Sequence, residues 1–563
     1  MINNTGDFCR EKVKLNWRSG LTVALISVPL SIALSIASGA GPLPGLIAGI
    51  WGALIGSFFI GSNYNIIGAA GAITTVLFGA TLMAPMGLGA DVLPLIALFT
   101  GAIIFIVWLL RLDRLLYFVP SSVMFGFAGG VAILIAASQL FDATGLIDVS
   151  RTGNLFSDIQ VFIENISSVH MPSLVAFAVF LSLILVWKKF ISKVPAIAGV
   201  ALIGILVGYF EAEFFNIGLE SLEDKFGAFS ATLMIPVIWG ALPDILSNRE
   251  HLLWILNISG VIALITILET LISEKIADKM TKTQSSSARE LLGLSLSNFG
   301  SGAMGGLPAS GLLLRTAVNV ESGATHRTSG MLSAIFTALI ILLTLPLLMY
   351  IPMVVIAALL VNTALGLFNV EKFTEYWKHE KESFAIAIIV VVVTIFYDAG
   401  LAVAAGVSVA ILLFVRRVAR GRFDMIWNFS DGTLEEVRGV KFLELPKTKK
   451  QITVVTYSIA GNLGYIDASQ HLNNLRKLAS VPGLPVVIIR LRALFSIDFE
   501  GAEALAEAVD DLREAGIKVY ISSATPVVET DLLTFPIFQE LKEKGFFTLK
   551  TKEALKKVGI DRY

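Results

Sequence analysis

The stretch "GGLPASGLLLRTAVN", Gly305 to Asn319, places glycines, a proline and one arginine in a chain that is otherwise strongly apolar. Chain breakers around a lone charge form either an ordinary loop or the working part of a transporter, and the surrounding sequence decides which. The chain has 563 residues, 55% hydrophobic and 15% charged, with a mean hydropathy of +0.77. That is too apolar for a water-soluble protein and reads as an integral protein of the lipid bilayer. Charge is unevenly spread, with 38 charged residues in the last 143 positions and 49 in the first 420. A membrane part is therefore followed by a water-soluble part.

A bilayer-spanning helix needs about 20 apolar residues, and fewer where it is broken or buried in protein. By that criterion fourteen spans run from 17–39 to 400–416, and two of them, 290–304 and 309–320, are short. The expected domains are a cytoplasmic N-terminus 1–16, a transport domain 17–420, a linker 421–445 and a soluble domain 446–563. The apolar run after "MINNTGDFCREKVKLNW" is too long for a signal peptide, which implies an uncleaved first helix. Basic residues fall in alternate loops: Arg111 and Arg114; Lys188, Lys189 and Lys193; Lys275, Lys279, Lys282 and Arg289; then His326 with Arg327, Lys372 with Lys381, and Arg416 to Arg422. The loop 140–168 is acidic, with Asp142, Asp148, Asp158 and Glu164 against Arg151. The positive-inside rule then places both termini in the cytoplasm of a multi-pass plasma (inner) membrane protein. A net charge of −1 gives no support for a nucleic-acid partner. The single Cys9 excludes an internal disulfide and fits a reducing compartment.

Fourteen spans divide into two sevens, and an odd number per half inverts one half relative to the other. "NIIGAAGAITTVL" (Asn65 to Leu77) is third in the first seven, and the opening stretch is third in the second. Short, interrupted segments at corresponding places in inverted repeats point to a transporter's binding site. If both are half-helices, their free N–H groups and positive dipole ends face a common space that suits an anion. Gly68 and Gly71, with the small Ala69, Ala70 and Ala72, let a ligand approach the backbone. Pro308 suits a helix start near Ala309 and Ser310, and Arg315 adds positive charge behind it. Glu269, an acid inside the apolar run "ITILETLIS", is the other outlier. Plainer readings stand beside these: glycine-rich helices also pack against one another, an arginine near a helix end also snorkels, and an acid also serves as a structural hydrogen-bonding partner.

The tail alternates strand and helix patterns. "QITVVTYSIAG", "PVVIIRL" and "IKVYISSA" are β-rich, while "FEGAEALAEAVDDLREAG" and "FPIFQELKEKG" have helical spacing. This predicts a small α/β domain. No metal-ligand cluster or nucleotide-binding loop marks an enzyme, and the five histidines are scattered.

"ETLISEKIADKM" followed by "ARELLGLSLSNFGSGAMGGLPASGLLLRTAVNVESGATHRTSG" resembles the core of the sulfate permease (SulP) family of anion transporters, relatives of prestin and pendrin. "SVPLSIALSIASG" is similar to the family's first helix, and the tail resembles its cytoplasmic STAS domain. The resemblance implies seven plus seven inverted helices, a core domain moving elevator-fashion against a gate domain, and a homodimer. It places the anion between the third and tenth helices, here Gly68 to Ala72 and Ala309, Ser310, Gly311, Leu314 and Arg315, with Leu30 of the first helix nearby. It makes Glu269 the binding site for a coupling ion or proton, so that Na⁺ or H⁺ takes the place of any cofactor. Leu30 stands where the family often has Gln, and Ala69 and Ala70 where it has Pro and Thr, so few side-chain donors are offered. Expected substrates are small inorganic anions of the sulfate or bicarbonate class, with a dicarboxylate carrier or a membrane-anchored STAS signalling protein as alternatives. In "FSIDFEGAEAL", Asp498 matches the family loop, but Glu500 occupies the phosphorylatable position, so that switch is lost. A regulatory protein remains an expected partner of the STAS domain.

Overall fold

The computed structural model describes all residues except 1–2, 113–118, 147–148, 150–151, 153, 191–194, 216, 229–240, 398, 419–421, 441–445, 447–449 and 561–563. Arg114, Asp148, Arg151, Lys193 and Arg420, which the loop-charge reading uses, lie outside the described residues. The chain forms two compact units, Met1–Ala410 and Ile411–Tyr563.

Each of the fourteen expected spans carries helix. Among the described residues, eight helices are long and apolar enough to cross a bilayer, and Met171–Trp187 and Gly400–Arg416 are shorter apolar helices. The first helix, α1 (Asn3–Ala37), is longer than expected and takes in residues 3–16 of the expected N-terminal segment. No Gly or Pro stands between Phe8 and Arg18, so nothing ends the helix before its apolar part begins. Val23, Ala24, Leu30, Ile32, Ala33 and Leu34 of α1 are wholly buried, which places this helix inside the bundle.

Seven elements hold the interrupted segments: α1; β1 (Ile67–Ala69) leading into α2 (Thr74–Leu82); α3 (Arg249–Thr281); α4 (Ser287–Ala303); and β2 (Ala309–Gly311) leading into α5 (Leu313–Glu321). The helix start expected near Ala309 and Ser310 is thus corrected, because those residues are a strand and helix begins only at Leu313. Pro308 stands just before the strand, where its missing N–H removes no ladder bond. β1 and β2 pair antiparallel, with Ile67 opposite Gly311, Gly68 opposite Ser310 and Ala69 opposite Ala309. Away from water each strand satisfies backbone groups of the other. Because the strands run in opposite directions, α2 and α5 leave the ladder from opposite ends, as inverted halves require. Small residues seat α4 tightly on its neighbours: a Cβ on Gly302 would lie 2.6 Å from the Pro94 carbonyl oxygen.

The second unit is a six-stranded sheet in the order β4-β3-β5-β6-β7-β8. Its elements are β3 (Arg422–Phe429), β4 (Leu434–Val440), β5 (Ile452–Leu463), α6 (Ala468–Ala479), β6 (Val486–Ile497), α7 (Phe499–Glu514), β7 (Lys518–Ser522), α8 (Pro536–Glu543) and β8 (Phe547–Thr548). β5 to β8 are parallel, while β3 and β4 form an antiparallel hairpin added to the β5 edge. Within the expected linker 421–445, residues Arg422–Phe429 and Leu434–Val440 are therefore strands of this sheet. Phe423, Met425 and Trp427 alternate along β3 and bury themselves in the core with Val487, Leu505 and Phe538. Phe423 stacks on Tyr457 at 4.7 Å between ring centroids, and the Tyr457 hydroxyl lies 2.8 Å from His471 Nδ1. Burial pushes His471 down to about 4. Asp498 caps α7 by accepting from the Gly501 N–H at 2.7 Å.

Candidate functional site

The helices α3 and α4 that pack beside the breaks are capped by side chains: Asn248 accepts from the first turn of α3, and Ser286 from that of α4. Neither α2 nor α5 has a side-chain cap. Among the described residues, no partner is found for the backbone N–H groups of Ala70 to Ile73 or of Leu313 to Arg315. Ala70, Gly71, Ala72 and Ile73 are buried, where an unpaired N–H is costly. Two uncapped helix N-termini flanking one ladder are suited to an anion.

Arg315 is the third residue of α5 and is 1% exposed. Its Nη2 donates to Ser31 Oγ of α1 at 2.9 Å, while Nε has no partner among the described residues. The guanidinium reaches the ladder through Nη1, since a Cβ on Gly68 would stand 2.1 Å from that atom. A side chain at 68 would therefore displace the charged end of Arg315. Glu269 of α3 is half-buried, accepts from the Ser310 hydroxyl and is near enough to Arg315 for their charges to interact. The arrangement presents one cation with spare donors beside one acid with spare acceptors.

The remaining expected residues fall as follows. Gly68 and Ala69 lie in β1, and Ala70, Gly71 and Ala72 in the turn to α2; Ala309, Ser310 and Gly311 form β2, and Leu314 is half-buried in the first turn of α5. The space over Gly71 is bounded by Leu367, Ile135 and Leu34 at 3.6–3.7 Å, so its lining is apolar. Leu30 is buried, but its neighbour Ser31 is the α1 residue that reaches Arg315. Sequence reading also missed Asn65, Thr270, Ser273, Glu290, Asn298 and Thr316. Asn298 clamps β2 by accepting from the Ala309 N–H and donating to its carbonyl, both at 2.9 Å. Thr270 Oγ1 accepts from the Gly311 N–H at 2.9 Å. One signal was available: Thr266, Glu269, Thr270 and Ser273 form a polar stripe at helical spacing in an apolar run.

A bundle of broken and continuous apolar helices, with charge held at the break, is the architecture of a membrane transporter. The chain belongs to the sulfate permease family, which it matches over residues 14–390, and it carries a STAS domain over residues 446–553. It is 23% identical over 555 residues to sulfate transporter 4.1, chloroplastic, of Arabidopsis thaliana, covering 95% of this chain and 79% of that one. It is 24% identical over 558 residues to the bicarbonate transporter BicA of Synechocystis, covering 95% and 93%. Its fold is that of the murine Slc26a9 anion transporter in the inward-facing state, with a TM-score of 0.79 at 15% identity, covering 97% and 91%.

Proposed function

We propose that this protein is a secondary active transporter of a small inorganic anion of the sulfate or bicarbonate class. The observation that carries this reading is the buried Arg315, whose Nε has no partner among the described residues, beside two helix N-termini without side-chain caps. Relatives named as sulfate and bicarbonate transporters support the substrate class. In this reading the anion sits between Gly68–Ala72 and Ser310–Arg315. Backbone N–H groups replace part of its hydration shell, and the charge of Arg315 opposes its desolvation. Glu269 exchanges a proton or Na⁺ during the cycle, which couples anion movement to a gradient. Transport proceeds by elevator-type alternating access in a homodimer of the plasma membrane with both termini cytoplasmic, and the STAS unit receives a regulatory protein.

The test is uptake into proteoliposomes from a panel of labelled sulfate, bicarbonate, chloride and succinate. Uptake of sulfate or bicarbonate is expected, and Arg315→Ala is expected to weaken its binding by about 1–3 kcal/mol, the scale of a charge-assisted contact. Arg315→Lys should recover part of that, because a field depends on charge more than on fork geometry. Accumulation of succinate alone would replace the inorganic anion by a dicarboxylate, and no flux of any of the four would remove the reading.

A further inference from the structure

Beside the ladder lies a second polar cluster, centred on Asn65, whose hydrogen bonds among the described residues go to neither the Arg315 nor the Glu269 side chain. Asn65 is 3% exposed and uses every hydrogen-bonding position of its amide. Its Nδ2 donates to the Thr270 carbonyl at 3.1 Å and to Glu290 Oε1 at 2.7 Å. Its Oδ1 accepts from Thr316 Oγ1 at 2.8 Å and from Ser273 Oγ at 2.8 Å. Glu290 is wholly buried, and its other oxygen accepts from the N–H groups of Gly61 and Ser62 at 3.0 and 2.9 Å. One amide thus joins the segment before β1 to α3, α4 and α5.

The join matters because of where Thr316 stands. It follows Arg315 in the first turn of α5, and its Oγ1 also accepts from the Ile66 N–H at 3.1 Å. The Leu312 N–H in turn donates to the Ile66 carbonyl at 3.2 Å. Residues 65–68 therefore hold the first turn of α5 at two points, Asn65 on Thr316 and Gly68 against Arg315. The orientation of the guanidinium depends on the rotation of that turn, and the turn has no cap of its own. A fully satisfied buried network holds one geometry, whereas removal of one member strands the others.

We propose that Asn65 is a positioning residue for the anion site, which sets the direction of Arg315 by anchoring Thr316 in the first turn of α5. This rests on the anion site being where the proposed function puts it. The test uses the full-length protein in proteoliposomes, with sulfate and bicarbonate as probes, and reads KM and kcat separately. Thr316→Val removes only the hydroxyl and should raise KM about tenfold or more with a smaller change in kcat, while Thr316→Ser keeps the hydroxyl and should behave as the parent. Asn65→Asp sets a second carboxylate against Glu290 and should abolish saturable uptake. The pair Asn65→Asp with Glu290→Gln restores a donor facing an acceptor and should recover at least tenfold over the single variant. If Thr316→Val and the double variant both fold and Thr316→Val keeps the parental KM, Asn65 is a structural residue only and the proposal falls. If Thr316→Val and Thr316→Ser raise KM equally, the hydroxyl is not the anchor and the proposal likewise falls. If the parent itself takes up neither probe, the assigned function fails and this proposal with it.

Discussion

Arg315 reaches back from α5 to Gly68 of β1: the guanidinium occupies the place a side chain on Gly68 would need, with 2.1 Å between Nη1 and an added Cβ. Gly68→Ala should therefore push Arg315 aside, lowering sulfate or bicarbonate affinity about tenfold while the displaced flexible side chain limits the stability loss to about 1–3 kcal/mol. At Gly71 an added Cβ meets nothing nearer than Leu367 at 3.6 Å, so Gly71→Ala should keep the parental melting temperature. Uptake kinetics and thermal melts of the two variants check this. Unaltered affinity in Gly68→Ala would show that the contact does not shape the site.

Glu269 accepts from the Ser310 hydroxyl on β2, at the ladder itself. Glu269→Gln keeps an acceptor for that hydroxyl but carries no charge and cannot exchange a proton. It should abolish accumulation driven by a pH or Na⁺ gradient while leaving anion counterflow at a measurable rate. Retention of the parental pH and Na⁺ dependence would remove Glu269 from the coupling role.

The boundary between the two units can be tested by truncation. A chain ending at Val418 keeps the last membrane helix whole and should be monodisperse in detergent, as expected for independently packed units. A chain ending at residue 430 keeps β3 but loses β4 and β5, its partners on both edges. It then exposes Phe423, Met425 and Trp427 on an unpaired strand, and should aggregate. Size-exclusion profiles of the two fragments distinguish these outcomes, and equal behaviour would mean that β3 does not belong to the sheet.

His471 links the STAS unit's stability to pH. Its folded value, about 4, lies below the ordinary 6.5, so the unfolded chain binds the proton more readily. Stability from this group is complete above pH 6.5 and is lost as pH falls towards 4, by on the order of 3 kcal/mol. The melting temperature of the unit should fall across that window, and His471→Gln, neutral throughout, should flatten the change. A slope that persists in the variant would assign the effect to other groups.

Local pattern accounts for what the sequence determined by itself. Runs of apolar residues mark the membrane spans, glycines and Pro308 mark the two breaks, and β-rich runs mark three of the six strands of the STAS sheet, because composition and chain breaking act over a few neighbours. Arg315 and Glu269 stand out for the same reason, as charges in apolar runs. Tertiary structure alone decided that Ala309 to Gly311 form a strand, since an extended segment there is stabilised only by β1, some 240 residues earlier. It also decided that Ser31 accepts a hydrogen bond from Arg315 across 284 positions, that Asn65 joins Glu290 across 225, and that β3 and β4 extend the sheet at the β5 edge. A polar residue carries no local mark of the partner that will satisfy it. Within the bundle, that pairing is imposed by the cost of burying it alone.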